Sequence, residues 1–69
     1  MFFVFESSIV NGVQANAITV KATLEEAKML WHQIRASQLA NENATYSIAM
    51  ILDENGSVIA SEKTGEAIQ

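Results

Sequence analysis

The sequence predicts an α+β fold in which two β-hairpins are joined by one helix, in the order ββαββ. Two dipeptides, Asn11-Gly12 and Asn55-Gly56, each lie between β-rich runs and indicate tight turns. A helix-capping motif begins at Thr23, and the 69 residues contain no proline. The simplest arrangement of these elements is a single domain over residues 1–69, a four-stranded antiparallel sheet with the helix packed on one face.

The first hairpin is expected to pair Phe2 to Val10 with Val13 to Val20. Asn-Gly supplies the two positive-φ positions of a two-residue turn. The pattern leaves the pairing register open, because small residues at 7–8 and 15–17 interrupt the alternation of apolar and polar side chains.

The helix is expected from about Leu24 to Ala40. Thr23 can accept a hydrogen bond from the amide of Glu26, whose side chain would reach back to the Thr23 amide. Good helix formers follow without glycine, and residues 41–43 end the helix. At about 100° per residue, one broad apolar face should pack on the sheet. It comprises Leu24, Ala27, Leu30, Trp31 and Ile34.

The second hairpin is expected to pair Thr45 to Leu52 with Ser57 to Glu62. Residues 53–56 form its turn, with Gly56 in the left-handed conformation. The tail after Gly65 is expected to fray.

Composition excludes several classes of protein. Four basic and eight acidic residues give a net charge of −4, which argues against general binding of nucleic acid or of membrane surfaces. Without cysteine there is neither a disulfide nor a thiolate metal site. The apolar run at residues 1–5 is too short for a signal peptide, and no later segment could span a bilayer. A cytoplasmic protein is expected.

Apolar residues on both sides of the central strands predict self-association. The chain is 49% hydrophobic and 17% charged. This apolar fraction is high for a domain too small to bury so much apolar surface by itself. Residues 2–5 and 48–52 are apolar without alternation, while one helix covers only one sheet face. The other face should contact a partner subunit or a ligand, with Phe3, Phe5 and Met50 in the contact. Alternatively, short outer residues such as Ala49 are tolerated in water.

The back of the helix is a second candidate interface. Met29, Gln33, Ala36 and Ala40 lie nearly opposite the core face and form a small, flat surface. The alternative is that alanine is frequent there because of its helix propensity. A homodimer or higher closed oligomer is expected, with the sheet face favoured over the helix back as the joint.

Basic residues cluster in or beside the helix. Lys28, His32 and Arg35 follow one another at i, i+4 and i+7, and Lys21 precedes the helix. They form a candidate anion-binding edge for a nucleotide phosphate or an acidic partner. The alternative is a solvated helix flank facing Glu25.

Catalytic and metal-binding patterns are missing from the sequence. The single histidine has no cysteine, second histidine or suitably spaced carboxylate beside it. Glu25 and Glu26 are adjacent and point about 100° apart on a helix, so they cannot act as a catalytic pair. No serine has the surroundings of a nucleophile elbow, and residues 53–56 lack the spacing of a calcium loop. No catalytic residue, metal or cofactor is predicted, and the chain is not expected to be an enzyme.

Residues 18–62 resemble a loose group of short, uncharacterised proteins from phages and prophages of anaerobic gut bacteria. The shared pieces are Thr23-Leu24-x-Glu26-Ala27, Met29, His32-Gln33, Ala36-Ser37, Ala40-Asn41, Tyr46-Ser47-x-Ala49-Met50 and Asp53-x-Asn55-Gly56. The resemblance implies an accessory protein of a mobile element, a kind that often binds and blocks a host component.

These observations together favour a small, non-enzymatic, homo-oligomeric binding protein. It would act in the host cytoplasm, as an anti-defence protein that sequesters a host factor or a signalling nucleotide. The alternative is a structural or regulatory interaction protein that docks a phage or host protein through its sheet.

Overall fold

Two antiparallel hairpins and one helix make up the structure, a computed structural model that describes residues 1–65. The strands and the helix are β1 (Phe2–Val10), β2 (Val13–Lys21), α1 (Leu24–Ala40), β3 (Ala44–Asp53) and β4 (Val58–Gly65). The predicted ββαββ order is confirmed. The expectation of a frayed tail falls on residues 66–69, which lie outside the described residues.

The turn of the first hairpin sets the register that the side-chain pattern left open. Asn11 (φ 52°) and Gly12 (φ 80°) are both left-handed, as a two-residue type I′ turn requires. Val10 therefore pairs directly with Val13, and Phe5 pairs with Ile18 further along the strands. Turn geometry, rather than alternation, decides which face each β2 residue joins.

The helix begins and ends at the predicted residues. The Thr23 hydroxyl oxygen accepts from the Glu26 N–H at 3.2 Å, as expected of an N-cap. The Glu26 carboxylate accepts from the same hydroxyl at 3.1 Å rather than from the Thr23 amide, so the predicted capping box is formed only in half. At the other end, Asn41 caps the helix and its N–H donates to the Gln38 carbonyl.

The second hairpin is longer than predicted, because β4 continues three residues past Glu62 to Gly65. In its turn, the Asp53 carboxylate accepts from the N–H groups of Asn55 and Ser57, both at 2.9 Å, and Gly56 is left-handed as predicted. The pairing shifts by one residue between Ile51 and Leu52, which indicates a β-bulge in this hairpin.

The sheet has the strand order β2-β1-β3-β4, so the two central strands are β1 and β3. The helix packs on one side, here called the inner face. Of its predicted core residues, Ala27, Trp31 and Ile34 are buried in one cluster with Val4 and Ile51, and Leu24 and Leu30 pack against that cluster while partly buried. The Trp31 indole N–H also donates to the Ala49 carbonyl at 2.8 Å, which fixes the helix over β3.

Candidate functional site

The opposite side of the sheet, here called the outer face, is not covered by any of residues 1–65. Because Val4, Ala49 and Ile51 point toward the helix, the residues alternating with them point away from it. The outer face comprises Phe3, Phe5, Ser7, Ile9, Gln14, Asn16, Ile18, Val20, Tyr46, Ile48, Met50, Leu52, Val58, Ser61 and Lys63.

Two rows of paired residues form a continuous apolar band across the outer face. One row runs Val20, Phe3, Leu52, Val58, and the next runs Ile18, Phe5, Met50, Ser61. Side chains on the edge strands are the most exposed, with Ile18 at 66% and Val20 at 54%. The central residues Phe3, Phe5 and Met50 are half-buried by their neighbours. We call this surface the apolar band.

Polar groups limit the apolar band on one side. In the next row, the Ser7 hydroxyl donates to Asn16 Oδ1, and Lys63 pairs with Ile48. The described chain is a thin slab of 33 × 23 × 15 Å, deep enough for one helix layer on one sheet layer. The band therefore occupies a broad, flat surface with no third layer over it.

The helix back lies on the other side of the molecule from the apolar band. Met29 is 65% exposed, and Gln33 and Ala36 are exposed beside it. The six predicted interface residues therefore belong to two separate surfaces, which one two-fold contact cannot cover together. Sequence analysis missed Leu39, which is 63% exposed. It lies seven residues after His32, so the helical period places it on the same edge of the helix as His32.

The predicted anion edge does not hold together, because Arg35 is buried. Only 6% of this residue is exposed, and its guanidinium donates to Gln38 Oε1 and Thr64 Oγ1, both at 2.8 Å. Its Nε lies 3.6 Å from a Glu62 carboxylate oxygen. Arg35 thus joins the helix to β4 instead of facing solvent with Lys28 and His32.

The other residues of the predicted anion edge, Lys28, His32 and Lys21, do not form one binding site either. Lys28 and His32 are exposed on the helix, and the His32 ring meets the Trp31 ring edge-on, with 5.0 Å between centroids. Lys21 lines a separate open groove of about 220 Å³. Glu26 lines the same groove, so a bound anion there would meet a like charge.

A cavity with a mixed polar and apolar lining lies between the second half of the helix and the first hairpin, and sequence analysis missed it. Its volume is about 190 Å³, and Glu6 lies in its lining. The one available signal was the single charged residue, Glu6, in the mostly apolar central strand β1. Among residues 1–65, no three histidine, aspartate or glutamate side chains come together to hold a metal ion.

Comparison with protein-family models, with curated proteins and with solved structures gives no match. Within residues 1–65, the single helix is too short and too polar to cross a membrane.

Proposed function

We propose that this chain is a non-enzymatic binding protein that acts as a homodimer, joined through the apolar bands of two copies. The observation that carries the proposal is the uncovered apolar band itself. Two antiparallel sheets pack readily face to face with their inner side chains interdigitated. A second copy would supply the missing layer and turn two single sheets into a sandwich.

The size of the outer face supports a second copy as the partner. The two longest extents of the chain, 33 and 23 Å, leave room on the outer face for a contact approaching the roughly 800 Å² that each partner contributes to a standard interface. A two-fold axis through the band would place each copy's apolar rows against the same rows of the other, so one surface satisfies both copies. The two rows contain no charged residue, so the net charge of −4 adds no buried repulsion at the centre of the contact.

Exposed helices on the outside of such a dimer would be available to a further partner. Met29, Ala36 and Leu39 offer apolar contact there. A host protein factor suits this surface better than a signalling nucleotide does, since Arg35 is occupied and Lys21 shares its groove with Glu26. Sequestration of a host factor by a phage accessory protein agrees with the resemblance of residues 18–62.

Native mass spectrometry or light scattering at micromolar concentration tests the assembly, with two matched variants. Ile18→Lys places a charge in the apolar band, and Met29→Lys places the same charge on the helix back. We expect a dimer for the parent and for Met29→Lys, and a monomer for Ile18→Lys. If only Met29→Lys dissociates, the helix back is the joint and the proposal is wrong.

A parent chain that stays monomeric would contradict the homodimer. The alternative function would then be favoured, namely a structural or regulatory protein that docks a different protein through its sheet. The reason is that the exposed apolar band would still indicate a protein-binding surface. A thermal-shift screen with nucleotides tests the choice of ligand. We expect no shift, and a shift that Lys28→Ala abolishes would restore the nucleotide hypothesis.

A further inference from the structure

The cavity beside Glu6 exists because the helix covers only part of the inner face. The helix packs mainly over β3 and β1, and all of β2 before Lys21 is exposed. The second half of the helix and the first hairpin therefore enclose an open space of about 190 Å³. This space is on the opposite side of the sheet from the apolar band.

Small and polar residues form most of the cavity wall, together with the apolar side chain of Ile34. Ser8 and Ser47 lie beside Glu6 on the sheet, and Ser37 of the helix and Asn41 at its C-cap face them. The Gln38 side chain is held in place in the cavity wall by two hydrogen bonds. Its amide donates to the Ile48 carbonyl at 2.9 Å, and its carbonyl accepts from Arg35. The serine hydroxyls remain available to donate to or accept from a ligand.

Of two carboxylates on the inner face, one lies against an arginine and the other has no partner among residues 1–65. This difference indicates the charge of the ligand. Glu6 and Glu62 are both paired with Ala49, one from each side. Glu62 lies against the Arg35 guanidinium. Within residues 1–65, no ion pair or side-chain hydrogen bond reaches the half-buried carboxylate of Glu6. Glu6 is therefore an unpaired negative charge in the lining of this cavity, and a carboxylate so placed attracts a cation to it.

We propose that this cavity binds a small hydroxylated primary amine, with its ammonium group on Glu6 and its hydroxyls on Ser8 and Ser37. A cavity of about 190 Å³ is below the 300–1,000 Å³ of sites for drug-sized ligands, so the ligand is about as large as a monosaccharide. An inorganic divalent cation is disfavoured, because calcium takes six to eight oxygen ligands and Glu6 is one carboxylate. The net charge of −4 attracts cations and repels anions.

The test is a titration of the ¹⁵N-labelled full chain, followed by amide chemical shifts. Glucosamine is the probe, and N-acetylglucosamine is its neutral counterpart with the same ring. We expect saturable shifts at Glu6, Ser8 and Ser37 with glucosamine, in the millimolar range usual for so small a ligand. N-acetylglucosamine should leave these amides unshifted.

Two variants complete the test. Glu6→Gln keeps the size of the side chain and should weaken glucosamine binding by about tenfold or more, the usual effect of losing a charged hydrogen-bond partner. Glu25→Gln removes a charge from an exposed helix position outside the cavity and should bind as the parent does. The spectrum of each variant shows directly whether it is folded.

Three results would overturn the proposal: no saturable shift, equal shifts with N-acetylglucosamine, or binding that Glu6→Gln leaves intact. The proposal is independent of the homodimer. Ile18→Lys changes the other side of the sheet and should bind glucosamine as the parent does, whether or not it dissociates.

Discussion

The two faces of the sheet are built from the same four strands but differ in what covers them. On the inner face, Val4 and Ile51 are at most 1% exposed beneath Trp31. On the outer face, Phe5 is only half-buried and Ile18 is 66% exposed. A 17-residue helix covers the central strands on one face of such a sheet, and no other part of residues 1–65 covers the apolar residues on the other face.

The inner face should determine the stability of a single chain, and Trp31→Ala should have the largest effect. Trp31 is 8% exposed in the core, so its truncation removes apolar burial, leaves a cavity and breaks the bond to the Ala49 carbonyl. We expect a loss of about 3–5 kcal/mol in the free energy of unfolding, which is enough to unfold so small a domain. Urea unfolding measures it. An unchanged midpoint would mean that Trp31 is not a core residue.

Arg35→Met should have the next largest effect. Methionine keeps much of the apolar length but loses the bonds to Gln38 and Thr64, which should cost about 1–3 kcal/mol. Glu62→Gln is the matched control. Its side chain is 60% exposed and 3.6 Å from Arg35, so it should cost well under about 1 kcal/mol. If Arg35→Met unfolds at the same urea concentration as the parent, the guanidinium does not stabilise the fold. Arg35 would then again be a candidate residue of the predicted anion-binding edge.

Gly12→Ala should lower the free energy of unfolding by a smaller amount. It tests whether the type I′ turn sets the β1–β2 register, which decides the sheet face of each β2 residue. Gly12 has φ 80°, and a Cβ there would meet no atom within 4 Å, so the cost is conformational only. We expect about 1 kcal/mol by thermal unfolding. Gly12→Asn should lose less, because asparagine tolerates the left-handed region better than alanine does. Equal costs for the two variants would argue against the type I′ turn.

Ile18→Thr should have the smallest effect on a single chain, because it lies in the apolar band and not in the core. At a concentration low enough to keep the chain monomeric, we expect a change within about 0.5 kcal/mol. The melting temperature of the parent should rise with protein concentration, and that dependence should weaken in the variant. A large loss in the dilute monomer would mean that the outer face already contributes to the fold of one chain.

Much of the fold could be predicted because its signals are local. Helix ends at Leu24 and Ala40 follow from the Thr23 cap and from the asparagines after the helix. Both hairpin turns follow from Asn-Gly, where the left-handed conformation depends on one or two residues. The apolar residues on both sides of β1 and β3 could likewise be predicted, since alternation in a strand depends only on the order of residues.

The tertiary structure alone decided the features that depend on residues distant in sequence. Helical periodicity places the Cβ of Arg35 but not its guanidinium, which turns toward Thr64, 29 residues away. The cavity beside Glu6 arises from how the helix crosses the strands, which no local pattern encodes. The amino-acid sequence therefore determined the elements and their apolar faces, while long-range packing decided which charged side chains are paired within residues 1–65 and which are not.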